Sequence, residues 1–361
     1  MKAPPSSGVF VFGRRHPDKW ICAVAFVCLL RVPLERQETM ILDRTVNAAP
    51  MMGRTDRHCR YFLRGFSARL LLYTEMIPAA DLVGGDCARL LEFDPEEHPV
   101  ALQLGGCAPQ ELAAAARTGE QAGYDEINLN CGCPSDRTTG GVFGAYLMHR
   151  PETVAICVTA MRAAVRVPVT VKMRIGVIEG RGGAAIEASR RFDEAERAAL
   201  FRFVGAVRDA GCDAVIVHAR KAVLGGLSAQ DNREIPPLQY DVVSQLKKAF
   251  PDLPVVVNGG LRDPDAILRA LDGLDGVMLG REAYNRPLLL ARLDALLFGA
   301  EPNPGNSHSN REALDAVTRA HAIERMRRYT ERQLARGERL SAVVRHIQGL
   351  YAGESGAPEF R

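Results

Sequence analysis

The sequence predicts an α/β fold, a (β/α)8 TIM barrel followed by a small all-α C-terminal domain, and three observations carry the prediction. Eight short β-prone runs alternate with helix-length segments between Val46 and Leu279. The polar and glycine residues suited to a ligand site fall where those runs end, and beyond residue 300 the alternation gives way to an arginine-rich helical pattern. Apolar strands separated by helices mean a parallel sheet covered on both faces. A doubly wound open sheet is the competing architecture.

With 361 residues, 47% hydrophobic and 25% charged, the chain has material for one large domain and a smaller one. A net charge of +3 does not by itself predict a nucleic-acid partner. Nine cysteines, odd in number and scattered without a Cys-x-x-Cys pair, point to a reducing compartment with thiols. They argue against a disulfide framework and a zinc site, and the eight histidines show no metal-ligand spacing, so no metal is expected.

Residues 1–40 are expected to be a disordered extension or an upstream mis-start, since Met40 stands just ahead of the first strand. Their apolar run Trp20 to Leu30 is too short to span a bilayer and no small-residue cleavage site follows. The barrel is expected over 41–300, a linker over 301–310 and the helical domain over 311–361.

Taken in order, the first strand, Val46 to Ala49, ends on Pro50-Met51-Met52, and the second, Leu70 to Thr74, on Glu75-Met76. The third, Val100 to Leu104, carries Gln103 near its end, and a helix from Pro109 to Ala122 follows a turn. The fourth, Glu126 to Asn130, runs into Cys131-Gly132-Cys133-Pro134, where Gly and Pro stop the strand and turn the chain outward. Gly140, Gly141 and Gly144 then allow close approach of a ligand. On this segment alone, a tight turn holding two buried thiols remains open.

A helix from Pro151 to Val165, with Pro in its first turn, leads to the fifth strand, Pro168 to Lys172. The sixth, Ala214 to His218, ends beside Arg220; the seventh, Pro254 to Asn258, ends on Asn258-Gly259-Gly260. A helix from Pro264 to Leu271, capped by Asp263, precedes the eighth, Gly276 to Leu279, which ends on Gly280-Arg281. Active sites of such barrels lie at the C-terminal strand ends, and the loops after strands seven and eight commonly bind phosphate. Lys172 is read as a cation in the barrel mouth, with a structural ion pair as the alternative; His218 and Gln103 complete a hydrogen-bonding rim.

The segment after strand six, Lys221 to Leu238, reads as one long functional loop. From Arg311 to His346 nine arginines stand against five acidic residues, an excess of +4 that exceeds the whole chain's +3. A solvated helix face is the usual meaning of such a run; all-arginine composition on a small domain beside a barrel mouth also suits nucleic-acid phosphates.

Several runs resemble the tRNA-dihydrouridine synthases. They are Ala49-Pro50-Met51, Asp56 to Phe62, Tyr73-Thr74-Glu75-Met76, Ala101 to Gly106 and Asn128-Leu129-Asn130-Cys131-Gly132-Cys133-Pro134-Ser135. His218 to Ala222 and Asn232 to Leu238 resemble the bacterial A-type branch, and the likeness runs from about Val46 to Leu350. It implies an FMN-dependent barrel with a C-terminal helical domain, reduced by NADPH and acting on D-loop uridines of tRNA, usually U20 and U20a. By the same resemblance Cys133 is the proton donor and Asn130 holds the uracil. Pro50, Met51, Met52, Gln103, Lys172, His218, Asn258, Gly259, Gly260, Gly280 and Arg281 hold FMN, with the Lys172 cation facing the negative charge of a reduced flavin. Gln230, Arg233, Arg345 and Gln348 set how the tRNA lies.

The physics is consistent: a thiol carries its proton at neutral pH, and the target base must leave its stack to be reached. A cytoplasmic monomer without membrane attachment is expected. Departures from the family pattern are the second thiol at Cys131, a chain that stops at Arg361 where relatives continue into basic helix, and residues 1–40 without counterpart. A small-pyrimidine or enone reductase, or a tRNA-binding relative impaired in catalysis, are the alternative readings.

Overall fold

A computed structural model describes residues 42–84, 87–134, 143–299, 308–352 and 354. The expected N-terminal extension, Gly140 and Gly141, most of the expected linker and the last residues lie outside the described residues.

Among the described residues ten strands are present: β1 (Val46–Ala48), β2 (Leu72–Pro78), β3 (Val100–Gly105), β4 (Glu126–Cys131), β5 (Val169–Arg174), β6 (Val177–Glu179), β7 (Ala214–His218), β8 (Ala222–Leu224), β9 (Val255–Asn258) and β10 (Gly276–Leu279). Eight form one parallel sheet in the order β1, β10, β9, β7, β5, β4, β3, β2. Ala48 N donates to Leu71 O at 2.9 Å and Leu71 N to Val46 O at 3.1 Å, which brings β1 against the start of β2 and closes the ring. The open-sheet alternative is thereby excluded, and the barrel is as expected.

Alternation along each strand sorts side chains into two layers. Ile127, Leu129 and Cys131 of β4, and Val169, Val171 and Met173 of β5, join the large core between sheet and helices. Tyr73, Ala101, Ile216, Val256 and Met278 fill the barrel interior. At its N-terminal floor Glu126 is wholly buried and accepts from Tyr73 Oη at 2.7 Å and from Thr170 Oγ1, while pairing with the Arg44 guanidinium.

Three expected boundaries shift. β2 begins later and runs to Pro78, with a register break between Tyr73 and Met76, so Glu75 and Met76 sit within a bulged strand rather than after it. β5 extends past Lys172 to Arg174. The segment expected as one loop after His218 contains β8, which pairs with β6 in a two-stranded parallel sheet. Asn232, 0% exposed, pins that segment by a reciprocal pair with Val223, 2.7 and 2.9 Å. The helix of Pro264–Leu271 has its expected Asp263 cap, accepting from Ala266 N at 2.9 Å.

C-terminal helices His308–Ala335 and Leu340–Val344 pack on the barrel, the first beginning inside the expected linker. Tyr329, 0% exposed, stacks on Tyr61 with centroids 3.9 Å apart and meets His58 Nδ1 at 2.9 Å through its hydroxyl. No helix among the described residues is long and apolar enough to cross a membrane.

Candidate active site

Interior parity brings one polar residue from each of several strands to the C-terminal mouth: Gln103, Asn130, Lys172, His218 and Asn258. The amides of Asn130, Gln103 and Asn128 form a chain. Asn130 Oδ1 accepts from Cys133 N at 3.0 Å and Gly132 N at 3.1 Å, shaping the turn that carries the thiol. Asn130 Nδ2 donates to Gln103 Oε1 at 2.8 Å, Gln103 Nε2 to Asn128 Oδ1 at 2.7 Å, and Asn128 Nδ2 to Thr170 Oγ1 at 2.8 Å. Thr170 bonds Glu126, so the cysteine turn is tied to the barrel floor.

The two thiols of the Cys-Gly-Cys turn are separated by this geometry. Cys131 ends β4 on the outer parity, wholly buried, and burial pushes its thiol well up, with Cys157 and Cys212 close enough to add to the effect. Cys133 lies past Gly132 and is only partly buried. Strand alternation alone would keep both on one side; the chain leaves the strand at Gly132, and that turn redirects Cys133. The alternative of two buried thiols fails for Cys133.

Cations surround Cys133: Lys172, Arg174 and Arg233 each interact electrostatically with it. Lys172 Nζ donates to Asn258 Oδ1 at 3.2 Å, an amide rather than the carboxylate that a structural ion pair would require. Burial pushes its ammonium down to about 8, and the Arg174 charge adds to the shift. His218 is pushed well below the ordinary imidazole range by burial first, then by Arg174 and Lys172. Its Nδ1 is buried with no hydrogen-bond partner among the described residues.

Arg174 was not legible as a site residue. Its guanidinium donates to Gly132 O at 3.0 Å, Lys221 O at 3.0 Å and Asn232 O at 2.9 Å, fastening the cysteine turn to the segment after β7. Burial draws it down to about 10. The available signal was its parity with Lys172, two residues earlier on the same strand.

After β9, Gly259 and Gly260 have φ of +113° and +70°. A Cβ on Gly259 would stand 3.1 Å from the His218 ring, and one on Gly260 2.2 Å from Leu238 Cδ1. Only glycine fits there. A Cβ on Gly280 would meet Ala49 and Met51 at 3.8 and 3.9 Å, so this glycine, Met51 and β1's end are adjacent. Met51 N is held by Thr55 Oγ1 at 2.9 Å; Met52 is exposed, and Pro50 partly buried. Arg281 pairs with Glu234 at 2.6 Å. Arg281 and Arg262 repel Arg220, and Arg281 and Arg54 repel Arg233, so this side of the mouth is cationic.

Gln230 and Arg233 are exposed around the turn Asp231–Arg233, and Gln348 is exposed in the turn Ile347–Tyr351. Arg345 is engaged by Asp56, which also takes His346 Nε2 at 2.9 Å and caps the helix Arg57–Arg64. Other tail arginines face carboxylates of the barrel: Arg325 meets Glu96 at 2.6 Å, Arg332 meets Asp94 at 3.6 Å, and Arg336 pairs with Glu92. On the outer face Arg327 and Arg328 share Glu324.

The sequence profile of the dihydrouridine synthase (Dus) family matches residues 47–361. The tRNA-dihydrouridine(20/20a) synthase of Pseudomonas aeruginosa is 51% identical over 320 residues, covering 89% of each chain. That of Pseudomonas putida is 49% identical, covering 88% of this chain and 87% of its own. That of Synechocystis is 48% identical, covering 88% and 89%.

Proposed function

Because the chain belongs to the dihydrouridine synthase family, we propose that it is a tRNA-dihydrouridine(20/20a) synthase, binding FMN, oxidising NADPH and reducing D-loop uridines in the cytoplasm. The observation that carries the reading is Cys133 held at the barrel mouth by Asn130 and faced by Lys172, Arg174 and Arg233.

The residues present fit a flavin mononucleotide. The orphaned Nδ1 of His218, the part-desolvated ammonium of Lys172 and the Gly259-Gly260 backbone that tolerates no Cβ together suit a planar anionic ligand. Gln103, Asn258, Pro50, Met51, Met52, Gly280 and Arg281 complete the cradle, the last two at the mouth's cationic side. Such a flavin supplies two-electron reduction of the uracil C5=C6 bond.

Cys133 then acts as general acid, its Sγ–H delivering a proton to C5. The negative charge left on sulfur is stabilised by the three nearby cations. Asn130, with its oxygen committed to the turn and one amide hydrogen to Gln103, keeps a second N–H for a uracil carbonyl. Gln230, Arg233, Arg345 and Gln348 are assigned to the tRNA.

The domain plan proposed is a catalytic barrel over 41–300 and a tRNA-binding helical domain over 311–361, working as a monomer. The test is mass-spectrometric mapping of dihydrouridine in tRNA from a host lacking its own synthases and expressing this chain. Dihydrouridine at positions 20 and 20a, absent with Cys133→Ser, supports the reading; a yellow, folded protein that restores none refutes it.

A further inference from the structure

Beside the mouth, at the ends of β1 and β2, lies a cleft of about 460 Å³ that shares only Met52 with the proposed flavin cradle. That volume falls within the roughly 300–1,000 Å³ of small-ligand sites. Two large apolar side chains stand exposed on its lining, Met52 at 62% and Leu90 at 47%, with Met76 also lining it. Polarisable thioethers and a leucine suit the face of a flat heteroaromatic ring.

The polar groups suit its edge. Glu75 and Asp81 have no ion pair among the described residues, and Glu75 Oε1 accepts from Arg54 N at 3.0 Å, keeping a second carboxylate oxygen. They offer acceptors for a ring N–H, and Arg89 offers donors for a ring carbonyl. These carboxylates disfavour phosphate, in contrast to the clustered charges of Arg220, Arg233, Arg262 and Arg281 elsewhere on the mouth. The mouth is therefore divided, with a cationic side for backbone and an apolar, acceptor-bearing side for a base. The cleft is one strand from the reacting centre, because Met76 pairs in register with Gln103, which bonds Asn130.

Resting on the tRNA reading above, we propose that this cleft is a second base subsite, taking as an unstacked neutral nucleobase the nucleotide adjacent to the uridine being reduced. A splayed single strand with one base in each pocket is how proteins read exposed RNA loops. It also gives two adjacent uridines alternating roles as target and anchor.

The test is a cycle between protein and RNA. Turnover is measured for the flavin-loaded wild type and the Leu90→Ala/Asp81→Asn variant, on intact tRNA transcript and on transcript with an abasic site beside the target uridine. Both substituted residues are exposed, and a melting curve on the variant checks its fold. The wild type is expected to lose about tenfold in kcat/KM on the abasic transcript. The variant is expected to lose a similar factor on intact transcript and little more on the abasic one.

Wild-type indifference to the abasic site, or losses that multiply, overturns the subsite. Flavin reduction by NADPH without tRNA is the control: slowing there in the variant makes the dinucleotide the occupant and also overturns it. Absence of dihydrouridine from intact transcript with wild type overturns the parent reading, and this one with it.

Discussion

Lys172 Nζ donates to Asn258 Oδ1 across 3.2 Å, linking β5 to β9 over the intervening β7. The ammonium is thus held by a neutral amide and faces Arg174, so its charge is disfavoured until an anion arrives. With its pKa drawn down to about 8 by burial, the unfolded chain binds more protons than the folded one from about pH 8 to the ordinary lysine value. Stability of the flavin-free protein should therefore rise with pH across that window. Urea unfolding at pH 7.5 and 10 is expected to show a gain of about 2 kcal/mol in the wild type relative to Lys172→Met. Parallel pH dependence in the two proteins would refute the assignment, and FMN should flatten the wild-type rise by favouring the charged form.

The two thiols of the turn should separate by experiment as they do in space. Cys133→Ala is expected to lower dihydrouridine formation by about 10²–10⁴ while leaving flavin reduction by NADPH intact. Cys131→Ser should keep turnover and lose about 1–3 kcal/mol of stability, because a hydroxyl replaces a thiol in the apolar core. Stopped-flow reduction, tRNA turnover and denaturant unfolding of each variant distinguish these outcomes.

At the opposite end of the barrel, Glu126 serves Arg44, Tyr73 and Thr170 at once. Glu126→Gln leaves a buried guanidinium facing a neutral amide and should cost about 3–5 kcal/mol in urea unfolding. Pairing Glu126→Leu with Arg44→Met should recover much of that loss. If the double variant is as unstable as the single, the cost lies in packing and not in the uncompensated charge.

Glycines at positive φ offer a matched pair. Gly260→Ala meets Leu238 and forces a left-handed alanine, whereas Gly273, at φ +91°, has open space around it. Each should lose about 1–2 kcal/mol for the backbone. Only Gly260→Ala should also lose flavin affinity, by at least about tenfold if the clash displaces the loop. Equal flavin retention by both variants would remove Gly260 from the cradle.

The barrel was legible because strand and helix periods survive in the sequence, and strand-end residues could be named from the run of apolar side chains. What failed were features that depend on side chains far apart in sequence. Arg174 reads as the residue after a strand until β5 is seen to extend, and its three carbonyl partners lie 42 to 58 positions away. The bulge in β2 has no marker residue, since neither Gly nor Pro stands at Thr74 or Glu75. The turn at Gly132 was legible, but the different burial of Cys131 and Cys133 on its two sides shows only in the structure. The arginine run was visible, but its partners Glu92, Asp94 and Glu96 lie over two hundred residues earlier.

Those partners decide what the arginines can do for tRNA. Arg336, paired with Glu92, and Arg325, with Glu96, spend their charge on the barrel, whereas Arg233 is exposed at the mouth among other arginines. An arginine neutralised by a carboxylate releases no counterion from a phosphate, while an unneutralised one does. Arg233→Ala should therefore weaken tRNA binding and reduce the slope of log affinity against log salt by about 1. Arg336→Ala should leave that slope unchanged and instead speed proteolysis of the tail, because the bridge it breaks holds the helix 308–335 to the barrel. Filter binding across a salt series, with limited proteolysis of the same proteins, measures both. A reduced slope in Arg336→Ala would mean that Glu92 yields its partner to the RNA.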